Sequence, residues 1–121
     1  MKYMLMIYST GDRLSDMSHE RRESDGEEHG AFAEYLTERD IPFSWMVLQD
    51  QSTITTILPD VDDSHLVTDG PYVTLNEYLG GYYIIETATL DEAIEAARRC
   101  PNDCRVEVRP VAFASDAVGS S

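Results

Sequence analysis

Two segments of this chain, far apart in sequence, alternate apolar residues with more apolar residues. In Lys2 to Tyr8, the set Tyr3, Leu5 and Ile7 interleaves with Met4, Met6 and Tyr8. In Gly81 to Thr87, Tyr82 and Ile84 interleave with Tyr83 and Ile85. A half-wet strand carries a polar residue at every second position, so a strand with two apolar faces is covered on both sides. Both segments therefore belong at the middle of a sheet. Cys104 to Phe113 reads differently: Val106 and Val108 alternate with Arg105, Glu107 and Arg109, as an edge strand does.

Helices are expected between the strands. His29, Phe32, Ala33 and Leu36 form an inner stripe at helical spacing, and Pro42, with the Asp40-Ile41 turn, ends that helix. Ser24-Asp25-Gly26-Glu27 has capping-box form, and an earlier start at Ser15 or Ser18 is equally open. Thr89-Leu90-Asp91-Glu92 is a second capping box. It opens a helix with Leu90, Ala93, Ile94 and Ala97 inward, stopped by Pro101. Phe43 to Leu48 reads as a strand, and Ser52 to Leu58 as its continuation or a hairpin arm. Pro59 to Ser64 reads as an acidic turn, His65 to Thr68 as a short strand, and Thr74 to Leu79 as a helical turn with Glu77 facing back. Gly70-Pro71 marks a tight turn, and Gly80-Gly81 leaves room for a backbone or a ligand at the start of a buried strand.

The order is βαββαβ with an extra hairpin, an α+β fold of ferredoxin-like type in which the first and third main strands are central. A single domain over residues 1–113 is expected, with a flexible tail at 114–121. Two helices cover one face of such a sheet. The other face, carrying Met4 or Met6, Tyr82 or Tyr83, and Ile84 or Ile85, is expected to pack on a second copy as a homodimer. Parity is undecided, because both faces of each central strand are apolar.

The chain's 121 residues carry a formal charge of −14, and Lys2 is its one lysine. That balance argues against nucleic acid, whose phosphates need a basic face, and against anionic membrane surfaces. No apolar run is long enough to span a bilayer, and Met1 to Tyr8 lacks the pattern of a secretion signal, so a cytoplasmic location is expected. Cys100 and Cys104 are read as plain thiols. A structural zinc needs four ligands, and no histidine lies near them in sequence. No metal site and no cofactor are expected.

Several segments match one pattern in order and spacing. They are Met1 to Tyr8, His29-Gly30-Ala31-Phe32, Thr68-Asp69-Gly70-Pro71-Tyr72, Glu77, Leu79-Gly80-Gly81-Tyr82-Tyr83, Leu90-Asp91-Glu92-Ala93 and Val106 to Val111. Over almost its whole length the chain resembles the YCII-related family, in the branch named for its DGPF motif. Tyr72 stands where that motif has Phe. The resemblance implies a dimeric ferredoxin-like α/β barrel, with a histidine on the first helix and an aspartate as a catalytic pair. Relatives of the fold include isomerases and lyases of small ring compounds. Many members of the branch accompany extracytoplasmic-function sigma factors.

These strands of argument give an expected site. His29, on the inner stripe, would be a general acid/base, since an imidazole titrates near neutrality. Asp69 would orient it, or else only cap its own turn; Asp40 is the second candidate. Tyr72, Glu77 and Tyr82 would face a small-molecule ligand, whereas Trp45 is read as packing. The reaction would be proton transfer, as in isomerisation or elimination. A different class of function is a regulatory interaction protein, a companion of a sigma factor, whose acidic surface suits a basic partner.

Overall fold

The computed structural model describes residues 1–10, 18–59, 65–71, 76–102 and 104–115. Tyr72, the loop at 11–17 and the acidic turn at 60–64 lie outside the described residues. The elements are β1 (Lys2–Thr10), α1 (His19–Glu38), β2 (Phe43–Val47), a 3-10 turn (Gln51–Thr53), β3 (Thr55–Pro59), β4 (His65–Asp69), β5 (Glu77–Glu86), α2 (Leu90–Ala97) and β6 (Arg105–Pro110).

Strands β2, β5, β1 and β6 form one antiparallel sheet in that order, and β3 and β4 form a separate two-stranded hairpin. The two strands that are apolar on both faces, β1 and β5, lie at the centre, and β6 lies at an edge. This is the ferredoxin-like arrangement. Burial also decides the parity that the pattern left open. Tyr3 and Leu5 of β1 and Tyr83 and Ile85 of β5 are buried with Phe32 and Leu36 of α1 and Ala93 and Ala96 of α2. Pairing then places Met4, Met6, Tyr82 and Ile84 on the opposite face, joined by Met46 of β2.

Some local expectations are met and others corrected. α1 begins at one of the starts left open: Ser18 is the N-cap and accepts from the Arg21 amide at 3.1 Å. Ser24 sits inside the helix, because residues 19–23 contain no breaker and His19 pairs with Glu23 one turn on, at 2.9 Å. At the far end Asp40 takes φ +56°. The amide of Ile41 reaches back to the Leu36 carbonyl and that of Asp40 to the Thr37 carbonyl, a Schellman closure. In α2, Thr89 caps the Glu92 amide as its sequence predicts. Leu90 is exposed, however, and the inward face is made by Ala93 and Ala96, small enough for the helix to lie close on the sheet. Glu77 to Leu79 belong to β5, not to a helical turn.

β5 contains a bulge. Ile7 pairs with Gly81 and Tyr8 with Leu79, leaving Gly80 as the extra residue. The two glycines there let protein atoms approach closely, and both also border the cleft described below. A Cβ on Gly80 would lie 2.5 Å from the Ser9 hydroxyl oxygen, and one on Gly81 would lie 2.7 Å from the Met46 carbonyl oxygen. Beyond the bulge Tyr78, opposite Ser9, turns to the helix side, and both are buried.

Candidate active site

Tyr83 of β5 is the largest fully buried side chain among the described residues, at 1% exposure. Phe32 packs edge-on against its ring at 4.9 Å, and Trp45 of β2 lies beside it at 6.1 Å. Burial pushes the phenol well above its ordinary value of 10.0, and the nearby Cys100 and Asp25 add to the shift. The phenol hydroxyl meets Nδ1 of His29 at 2.8 Å. A hydroxyl donates to a bare ring nitrogen or accepts from its N–H, so the bond serves either tautomer of the ring. Nε2 looks toward Asp25, one turn earlier on α1, whose carboxylate oxygen is 3.8 Å away. The His29 ring lies nearly parallel to both Tyr83 and Trp45. His29 keeps 18% of its side chain exposed and Asp25 24%. The imidazole is thus held at Nδ1 by a buried phenol and keeps part of its side chain exposed.

The ring borders a cleft of about 50 Å³. Besides His29, Asp25, Trp45 and Tyr83, its lining includes Ser9, Asp50 and Tyr78. Those three are between 5% and 8% exposed and stand among apolar lining residues such as Ile7, Met46 and Leu48. Between α1 and β2 runs a shallower groove of about 410 Å³, walled by Gly26, Gly30 and Ala33 and by Trp45 and Val47. Asp25, His29, Trp45 and Val47 border both spaces.

Of the residues expected at the site, His29 lines this cleft. Asp69 does not: it is exposed at the end of β4, and the carboxylate next to His29 is Asp25. Asp40 lies eleven residues further along the chain, about 16 Å on at the helical rise, at the end of α1. Glu77 is exposed at the sheet end, where it accepts from Arg105 and from the Cys104 thiol. Tyr82 points to the open face, its hydroxyl 3.1 Å from the Met46 sulfur. Trp45, read as packing, is 50% exposed and forms part of the cleft wall. Two of the unforeseen residues carried a signal. Asp25 precedes His29 by four residues, which puts both on one helix face. Ser9 continues the inward alternation of Tyr3, Leu5 and Ile7. Asp50, in a loop, carried none.

Both cysteines are free thiols, Cys100 buried and Cys104 partly exposed. Among the described residues no group of three or more His, Cys, Asp or Glu side chains gathers as a metal site, and no helix is long and apolar enough to cross a membrane.

Fold and cleft together describe a small ferredoxin-like α+β domain with a histidine-bearing pocket between its sheet and first helix. The chain belongs to the YCII-related family: residues 1–112 match the YCII-related domain. It is also 43% identical over 52 residues to a protein of Rhizobium meliloti (strain 1021) described as uncharacterized. That match covers 40% of this chain and 42% of the relative, so the shared stretch is less than half of either.

Proposed function

We propose that the cleft is a small-molecule site in which His29 moves a proton, an isomerase- or lyase-like activity needing no cofactor. The observation that carries this reading is the Tyr83–His29 hydrogen bond at the mouth of a cavity. In this reading Nδ1–H donates to the Tyr83 oxygen, which fixes the ring and leaves Nε2 of the neutral imidazole as the base that takes a proton from a ligand carbon. The imidazolium so formed is the acid that returns the proton from Nε2 to the ligand, restoring the neutral ring. Asp25 stabilises the imidazolium when it forms. It takes the role that the family resemblance gives to an aspartate, in place of Asp69. Within the family, the Thr68-Asp69-Gly70-Pro71-Tyr72 run supports a reading of the chain as a member of the DGPF branch.

Proton transfer is read directly as exchange of an acidic C–H for deuterium, by NMR in heavy water, across a panel of small cyclic ketones and lactones. The wild-type protein should accelerate exchange of at least one compound, and His29→Asn should lose at least about a hundredfold of that rate. A His29→Asn protein that matches the wild type overturns the reading.

We further propose a homodimer formed through the open sheet face. Met4, Met6, Tyr82, Ile84 and Met46 are more apolar surface than a solvated sheet carries.

A further inference from the structure

One buried hydroxyl borders the cleft without a protein partner among the described residues. Ser9 follows Tyr3, Leu5 and Ile7 on the helix-side face of β1, where the alternation calls for an apolar residue. It is 5% exposed, yet its hydroxyl makes no hydrogen bond to any described residue. A buried hydroxyl without a partner costs stability, and most such groups are paired. The bulge makes room for this one. Gly80 has no side chain, and a Cβ there would lie 2.5 Å from the Ser9 oxygen. Ser9 and Gly80 both border the cleft with His29. Among the described residues no side-chain oxygen is both sealed from solvent and unpaired, so the Ser9 oxygen is reached from the cleft.

Proton removal from carbon needs such a donor. When a base takes the proton of a carbon acid, the electron pair moves onto the oxygen of the carbonyl that acidifies it. A hydrogen-bond donor placed at that oxygen stabilises the charge as it forms. Ionised carboxylates such as Asp25 and Asp50 offer acceptors only. Asn102, a further donor in the lining, is exposed and gives an N–H to the Cys100 carbonyl. Resting on the reading of the cleft as a proton-transfer site, we propose that its substrates are carbonyl compounds and that Ser9 binds the carbonyl oxygen. Nε2 of His29 takes the proton from the carbon that this carbonyl acidifies. The electron pair passes to the oxygen held by the Ser9 hydroxyl, and the imidazolium then returns the proton to a carbon of the same ligand. Ser9 is in this way a catalytic residue, since its hydroxyl touches the reacting atoms.

Cyclohexanone and methylenecyclohexane share a ring, and only the first has a carbonyl oxygen. Their affinities are read from amide shifts in NMR spectra of the protein. Ser9→Ala should weaken cyclohexanone at least about fivefold and leave methylenecyclohexane unchanged. Ser9→Cys, which keeps the volume with a weaker donor, should act in the same direction. Neither loss should come with a loss of stability. Removing an unpaired buried hydroxyl should leave the urea midpoint of Ser9→Ala level with the wild type or above it. Where the wild type accelerates exchange, Ser9→Ala should slow its maximal rate at least about tenfold. An unchanged cyclohexanone affinity in Ser9→Ala overturns the proposal, as does an equal loss for both compounds or saturable binding of neither. A lower urea midpoint overturns it too, since the hydroxyl would then be a structural group. The affinities do not depend on turnover. A selective loss of the ketone in a protein without exchange would uphold the Ser9 contact and sink the proton-transfer reading; exchange untouched by Ser9→Ala would do the reverse.

Discussion

The hydroxyl of Tyr83 is the smallest feature on which the proposed chemistry depends. Tyr83→Phe keeps the ring against Phe32 and Trp45 and removes only the hydroxyl bonded to His29. We expect a stability change within about 1.5 kcal/mol in urea denaturation, the range of one hydrogen bond, with proton exchange reduced at least about tenfold. Wild-type exchange in this variant would remove Tyr83 from the mechanism. Cys100 gives a pH prediction. Burial pushes its thiol up from 9.0 to about 12. Above its ordinary value the unfolded chain releases that proton while the folded chain retains it, so stability falls as pH rises through that window. Urea midpoints measured from about pH 8 to about pH 10.5 should fall more steeply for the wild type than for Cys100→Ala. Parallel curves would show that the thiol does not contribute. Little at this scale was legible in sequence. Tyr82 and Tyr83 are adjacent and chemically identical, and only the parity of β5 sends one to the cleft and the other to the open face. An apolar residue on either side of each carries no vote on which way the strand turns.

Elements were far more legible, because their signals are local. Capping residues, proline stops and alternation marked most of them, and two doubly apolar strands were enough to place the sheet's centre. The start of α1 stayed open where two local signals competed, at Ser18 and Ser24, and an error fell where a β-strand carried charged and glycine residues at its start, as at Glu77 to Gly80. Helix α1 supports a paired prediction. Asp40 occupies the left-handed closing position that glycine fills at least cost. Asp40→Gly should raise stability by about 0.5–1 kcal/mol in thermal or urea unfolding. Gly30→Ala, in mid-helix with no atom near the added methyl, should stabilise by a similar amount, about 0.5–1 kcal/mol. The two differ in their side effects. Gly30 walls the outer groove beside His29, so its substitution should also lower proton exchange, whereas Asp40 lies at the helix end and should leave exchange unchanged.

For the whole molecule, the open sheet face decides association. Met6→Asp and Ile84→Asp each put a carboxylate at the middle of that face. Either should convert the proposed dimer to monomer in light scattering at micromolar concentration, since an unpaired buried charge costs several kcal/mol. A wild-type chain that is monomeric and well folded under those conditions would rule the dimer out. Another whole-molecule consequence comes from the bulge at Gly80. A regular strand keeps one phase of alternation from end to end, so its two ends are locked together: a slip at one turns every side chain at the other. β5 has two phases joined at a residue without a side chain. From Gly81 to Glu86 the phase is set by the hydrophobic interior; from Glu77 to Leu79 it is set by the cleft. Gly80 is thus a splice between the length of strand that the interior holds in phase and the length that turns Tyr78 to the cleft.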